Sequence, residues 1–138
     1  MASIGYSGTP LIKKLGIKPG YKLLLLNEPA EYPAWLGMDP VSQFVSKKEL
    51  PDFIHLFAKD KKSFETQMKK LDSLIQKKST LIIWVSWYKK SSGVETDLTE
   101  NIIRSYALKN GLVDVKVCAV SEEWSGLKLV VPLAMRKP

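Results

Sequence analysis

Cysteine and histidine each occur once, as Cys118 and His55. A single thiol cannot close an internal disulfide, and one thiol with one imidazole falls short of the ligand set of a zinc site, so no metal is expected. Arginine is almost as scarce. Of the 21 basic residues only Arg104 and Arg136 carry a guanidinium, which leaves 19 lysines. Bidentate reading of phosphates and base edges favours arginine. The net charge of +7 therefore reads as a solvated lysine surface, spread in pairs such as Lys13-Lys14 and Lys89-Lys90, and argues against a nucleic-acid partner. No run approaches the roughly 20 apolar residues needed to span a bilayer. Met1 is followed by polar, Gly-containing sequence instead of a basic-then-apolar leader. The expectation is a cytoplasmic protein with no membrane contact.

What is present is enough apolar residue for one core. A chain of 138 residues that is 45% hydrophobic forms one domain, 1–138, and is too short for two ordinary ones. Thr9 as cap, Pro10 at the first helical position and Gly16 as stop predict a short helix between them. Residues 21–26 form an apolar run of strand length, and 27–51, punctuated by four prolines, are irregular, with one helical turn at 32–36 and a short edge strand at Phe44 and Val45. A second strand covers 52–58, where His55 alternates with Phe53 and Phe57 on one face. Phe64, Met68, Leu71 and Ile75 then mark an amphipathic helix over 61–78. The run 80–87 is a strand buried on both faces, on which Trp84 and Trp87 point oppositely. Asp97 and Glu100 have capping-box spacing and open a helix to Asn110, with Leu98, Ile102 and Tyr106 inward. Strands at 112–120 and 126–132 follow, joined by a link too short for a crossover and hence antiparallel. The fold class this predicts is α/β, a three-layer Rossmann-like sandwich with a mixed, mostly parallel sheet and an antiparallel C-terminal strand pair.

The candidate site follows the strand at 80–87. Lys89 and Lys90 supply charge, Ser91, Ser92 and Gly93 hydroxyl and backbone donors, and Thr96 a further hydroxyl ahead of a helix N-terminus, a combination suited to a small anionic ligand such as a phosphate or carboxylate. Trp124, beside a Gly-containing turn, supplies a pocket wall. The segment is no P-loop, because Gly93 stands alone and no Gly-Lys-Ser/Thr order occurs. Ser86 lacks the flanking glycines of a hydrolase elbow, and His55 reads as a packed, hydrogen-bonded residue. Cys118, in a β-branched run, reads as a structural thiol. Glu28 and Glu31, beyond the first strand, are a possible acid–base pair but read more simply as solvated loop carboxylates.

Gly5-Tyr-Ser-Gly-Thr-Pro-Leu11, Trp84-Val-Ser-Trp87, Lys89-Lys90, Ser92-Gly-Val94, Thr96-Asp-Leu-Thr-Glu100, Gly111-Leu-Val-Asp-Val-Lys-Val-Cys-Ala-Val120 and Trp124-Ser-Gly-Leu-Lys-Leu129 resemble a family of small, single-domain bacterial proteins of unknown function. The resemblance implies a short cytosolic α/β protein and no particular reaction. The order of the C-terminal elements is also similar to the C-terminal half of Rossmann-like methyltransferases. Those enzymes follow their first strand with a Gly-rich loop. Here the chain reads Asn27-Glu-Pro-Ala-Glu31, so no cofactor of that kind is expected.

The resulting functional expectation is a non-catalytic binding or regulatory domain with an anion site at Lys89 to Gly93, and no catalytic motif is recognisable. Two alternatives stay open: a degenerate methyltransferase-like enzyme acting on a small substrate, and a weak lysine-driven nucleic-acid binder. Homo-oligomerisation through a free sheet edge is expected to use the terminal strand at 127–131.

Overall fold

The computed structural model describes residues 10–36 and 50–135. Thr9 and the expected edge strand at Phe44 and Val45 lie outside the described residues. The elements are α1 Leu11–Leu15, β1 Leu23–Leu26, α2 Tyr32–Leu36, β2 Phe53–Phe57, α3 Lys61–Lys77, β3 Ile82–Tyr88, α4 Glu100–Lys109, β4 Val113–Ala119 and β5 Trp124–Val130. Pro10 occupies the cap position of α1 and not its first turn, and Gly16 ends the helix in the left-handed region at φ 78°.

The strand order is β1-β2-β3-β5-β4. β1, β2 and β3 run parallel, whereas β5 is antiparallel to both β3 and β4. The expectation that the terminal strand forms the sheet edge is therefore corrected: β5 is interior, and among the described strands the edges are β1 and β4. The physical reason is the crossover through α4, which sets β4 two positions from β3 and leaves a slot between them. The chain then turns back and β5 fills the slot, pairing its backbone on both sides.

Side-chain alternation divides the core into two layers, one on each side of the sheet. Leu24, Ile54, Leu56, Ile83, Val85, Leu127 and Leu129 pack under Phe64, Met68 and Leu71 of α3 and Ile103 and Ala107 of α4. Leu23, Phe53, Phe57, Trp84 and Trp124 face Leu11 and Leu15 of α1 and Tyr32 and Leu36 of α2. Trp84 and Trp87 thus serve opposite layers, and β3 is buried on both faces as its apolar run predicts. The Trp84 indole N–H donates to the Leu15 carbonyl at 2.9 Å, which fixes α1 to the sheet. Gly126 is required by close approach, since a Cβ there would stand 2.9 Å from Val120 Cγ2 and 3.1 Å from Trp84 Cε3.

The start of α4 departs from the expected capping box. The cap is Thr99, whose hydroxyl accepts from the Ile102 amide at 3.3 Å. Asp97 instead accepts from the Lys61 amide at 2.8 Å, in the first turn of α3. Glu100 pairs with Arg104, which also binds Asp114 at 3.0 Å and so ties α4 to β4. Ile103 and Ala107 are the fully buried residues of α4, while Ile102 and Tyr106 are half-buried. Leu98 is buried just ahead of the helix.

Candidate functional site

The carboxyl end of β3, the loop that follows it, Asp60 at the start of α3 and the N-terminus of α4 surround an open groove of about 1100 Å³. Lys89, Lys90, Gly93 and Thr96 line it, with Tyr88 and Asn101. Ser91, Ser92 and Trp124 stand outside that lining. The wall is stiff for reasons that the sequence supplies. The Lys89 amide donates to the Glu123 carbonyl at 2.9 Å. Residues Lys90–Ser92 then make one 3-10 turn, closed by Gly93 at φ 78°, a left-handed value that favours glycine. The Ser92 hydroxyl donates to the Lys89 carbonyl at 2.7 Å and accepts from the Val94 amide at 3.1 Å, so it holds the turn in shape. The Thr96 hydroxyl donates to the Lys59 carbonyl at 2.7 Å and accepts from the Leu98 amide at 3.1 Å, which joins the loop to the end of β2. Trp124 lies behind the wall, stacked on Tyr88 with ring centroids 4.0 Å apart.

Carboxylates border the same groove. Asp60 caps α3 by accepting from the Ser63 amide at 2.7 Å, Asp97 serves the Lys61 amide, and Glu100 is paired with Arg104. These three are committed to helix ends and an ion pair. Glu95 is a fourth, exposed on the lining.

A second polar constellation lies on the α1 and α2 side of the sheet. The Tyr32 hydroxyl is 2.8 Å from His55 Nδ1, and His55 Nε2 is 2.7 Å from the Ser86 hydroxyl. All three residues are 0% exposed. Burial pushes the His55 imidazolium far down, to a pKa of about 3, so the ring is neutral, with one nitrogen donating and the other accepting. Burial also pushes the Tyr32 phenol up, reinforced by the charge of Glu28. His55 stacks on Phe57 at 4.4 Å, and Tyr32 meets both rings edge-on. Serine and histidine within hydrogen-bond reach have the parts of an activated nucleophile, but Ser86 is sealed from solvent and stands outside the lining of the groove. The arrangement satisfies polar groups in a dry layer. Sequence reasoning missed this grouping because its members are 23 and 31 residues apart and meet only through the strand register.

The loop after β1, where methyltransferases have glycine, turns instead at Asn27, the one described non-glycine residue at positive φ, 58°. Cys118 is half-buried, and burial pushes its thiol up against the opposing charges of Lys14, Lys116 and Lys89. Among the described residues no group of three or more His, Cys, Asp or Glu could hold a metal ion, and no helix is long and apolar enough to cross a membrane.

No model of a known protein family matches the chain, and no curated protein matches it. Solved structures do. A protein of the NADB-Rossmann superfamily from Streptococcus agalactiae is similar over 94% of this chain and 71% of its own, with TM-score 0.52 and 11% identity. An uncharacterized protein from Listeria monocytogenes serotype 4b is similar over 94% of this chain and 69% of its own, with TM-score 0.57 and 8% identity. At these identities the likeness is one of fold: the chain is a three-layer α/β sandwich of Rossmann type.

Proposed function

We propose that the chain is a binding domain for a small phosphorylated metabolite, held in the groove beyond β3. The observation that carries this reading is the position of that groove. It lies outside the carboxyl end of β3, in the parallel part of the sheet, and open α/β sheets bind their ligands in crevices beyond the carboxyl ends of their strands. Lys89 and Lys90 bring positive charge to the wall, and the N-terminal end of α4 adds to it.

The carboxylates decide what kind of anion fits. Asp60, Asp97 and Glu100 already answer backbone amides or Arg104. Glu95 leaves one acceptor on the wall that would repel a bare anion and receive hydroxyl groups. A sugar phosphate or nucleotide, which carries both, suits the groove better than inorganic phosphate. The reading is non-catalytic because the nucleophile-and-base pair of the fold, Ser86 and His55, is sealed away from this groove.

A thermal-shift screen against nucleotides, sugar phosphates and S-adenosylmethionine tests the proposal, since a ligand that binds only the folded chain raises its melting temperature. The expected result is a rise with at least one phosphorylated compound that disappears in the Lys89→Ala, Lys90→Ala double variant. A screen in which no phosphorylated compound raises the melting temperature contradicts it.

A further inference from the structure

Of the two edges of the described sheet, one is covered and one is bare. On β1, Leu23, Leu24 and Leu26 are buried. β4 is open. Three of the six large apolar residues left exposed among the described residues gather there, Val115 at 53% and Val117 at 51% on the strand and Leu108 at 59% on α4. Val117 is the register partner of Leu127, which packs in the α3 and α4 layer, so it faces the α4 side of the sheet. Leu108 follows Arg104 by one helical turn, and Arg104 reaches β4 at Asp114, so both stand on the β4 side of the helix.

Charged side chains ordinarily keep such an edge from pairing with another chain. Here both charges of β4 are already answered within the fold. Asp114 accepts from the Arg104 Nε–H at 3.0 Å. The Lys116 ammonium, on the residue opposite Lys128, donates to the Lys14 carbonyl at the end of α1, at 3.2 Å. A bulge is the other common guard, and the register of β4 does slip between Asp114 and Lys116. Past the slip, residues 116–119 pair regularly with β5, and among the described strands none pairs with their outer side.

We propose that β4 is a dimerisation edge whose occupant is the β4 of a second copy, joined antiparallel about a two-fold axis into one continuous sheet. The strand suits its own copy. With both charges answered, it leaves no counter-charge for a foreign partner to supply, and the side chain it offers is a valine, which pairs best with another apolar group. A pair centred on Lys116 would oppose two ammonium groups. Centred on Val117, it opposes the two valines and sets each Lys116 beside Cys118 of the other copy. The axis stands perpendicular to the sheet, so both α4 helices, each with its Leu108, lie on the same side and widen the contact. Two short strands alone fall short of the roughly 1,200 Å² that stable interfaces bury, so the helices belong to it. The edge shares no residue with the lining of the groove, and the two readings stand or fall separately.

The test is sedimentation equilibrium of the full chain across a wide range of concentration, at low and at moderate sodium chloride. The expected result is a reversible rise from one copy to two that strengthens with salt, because each copy carries a net charge of +7 and the contact itself holds no ion pair. Val117→Lys, which opposes two cations across the axis, should weaken the dimer about tenfold or more. The position is exposed, so the variant should melt at the wild-type temperature in dilute solution. Hydrogen exchange of the unaltered chain needs no variant: outward amides among residues 116–119 should gain protection as concentration rises, while those of β1 stay as they are. A chain that stays monomeric at every concentration and salt overturns the proposal and leaves β4 to a strand of another protein. A dimer that leaves the β4 amides unprotected, that a folded Val117→Lys does not weaken, or that salt dissociates overturns it as well.

Discussion

At the carboxyl end of β3 the chain carries lysines, hydroxyls and carboxylates into water, around a groove whose polar groups are answered by backbone at the turn and at two helix ends. Two residues before that end, the same strand carries Ser86 into a dry layer, where it can be answered only by His55 and, through it, Tyr32. Both regions contain residue types of chemistry, and water separates their roles. In the groove, a ligand group can compete with solvent for each donor. In the sealed layer each hydrogen bond replaces one that water no longer supplies, so its loss is felt as stability.

Perturbations should therefore fall on stability at the sealed chain and on binding at the groove. The largest effect is expected from His55→Ala, which leaves two buried hydroxyls without a partner and opens a cavity. Urea denaturation should show a loss of about 3–5 kcal/mol. A loss under 1 kcal/mol would mean that the layer is wetter than described. Next comes acid. The folded pKa of His55, about 3, lies below the ordinary value of 6.5. Below pH 6.5 the unfolded chain therefore binds the proton that the folded chain refuses, so stability present above pH 6.5 is lost as pH falls toward 3. The difference in stability between wild type and His55→Asn should shrink by about 3 kcal/mol between pH 7 and pH 4, and carboxylates common to both proteins cancel in that comparison. A flat difference would place His55 in contact with solvent.

Smaller effects belong to the groove wall. Thr96→Val removes one donor and one acceptor at once and should cost about 1 kcal/mol in thermal melts. Lys89→Ala with Lys90→Ala should change stability by no more than about 0.5 kcal/mol, as at ordinary surface sites. A larger loss would make these lysines part of the scaffold.

The sequence made some of this legible. Periodicity located the five described strands and the long helices α3 and α4, because each buries a stripe or a face whose spacing is written locally. The order of the sheet was not local. Nothing in residues 124–130 says that the last strand slips between its two predecessors, and so the terminal strand read as an edge. The cap of α4 failed for a similar reason. Asp97 and Thr99 are both good caps by type, and the choice was made by the Lys61 amide of another helix, which claims Asp97. The Tyr32, His55 and Ser86 chain and the Lys116 and Lys128 pairing likewise exist only once the register is known. The basic turn at Lys89 to Gly93 was legible because its lysines, serines and glycine are contiguous and follow a strand. The structure adds that Ser92 shapes the turn, and that Tyr88 and Glu95 join Lys89 and Lys90 on the lining.

The contrast between an open binding groove and a sealed structural chain is tested most directly by amide chemical-shift mapping of the chain with the phosphorylated compound that most raises its melting temperature. Perturbations are expected to centre on Lys89, Lys90, Gly93 and Thr96, with Tyr32, His55 and Ser86 unmoved. Perturbations centred on Tyr32, His55 and Ser86, with the Lys89 to Thr96 loop silent, would contradict it.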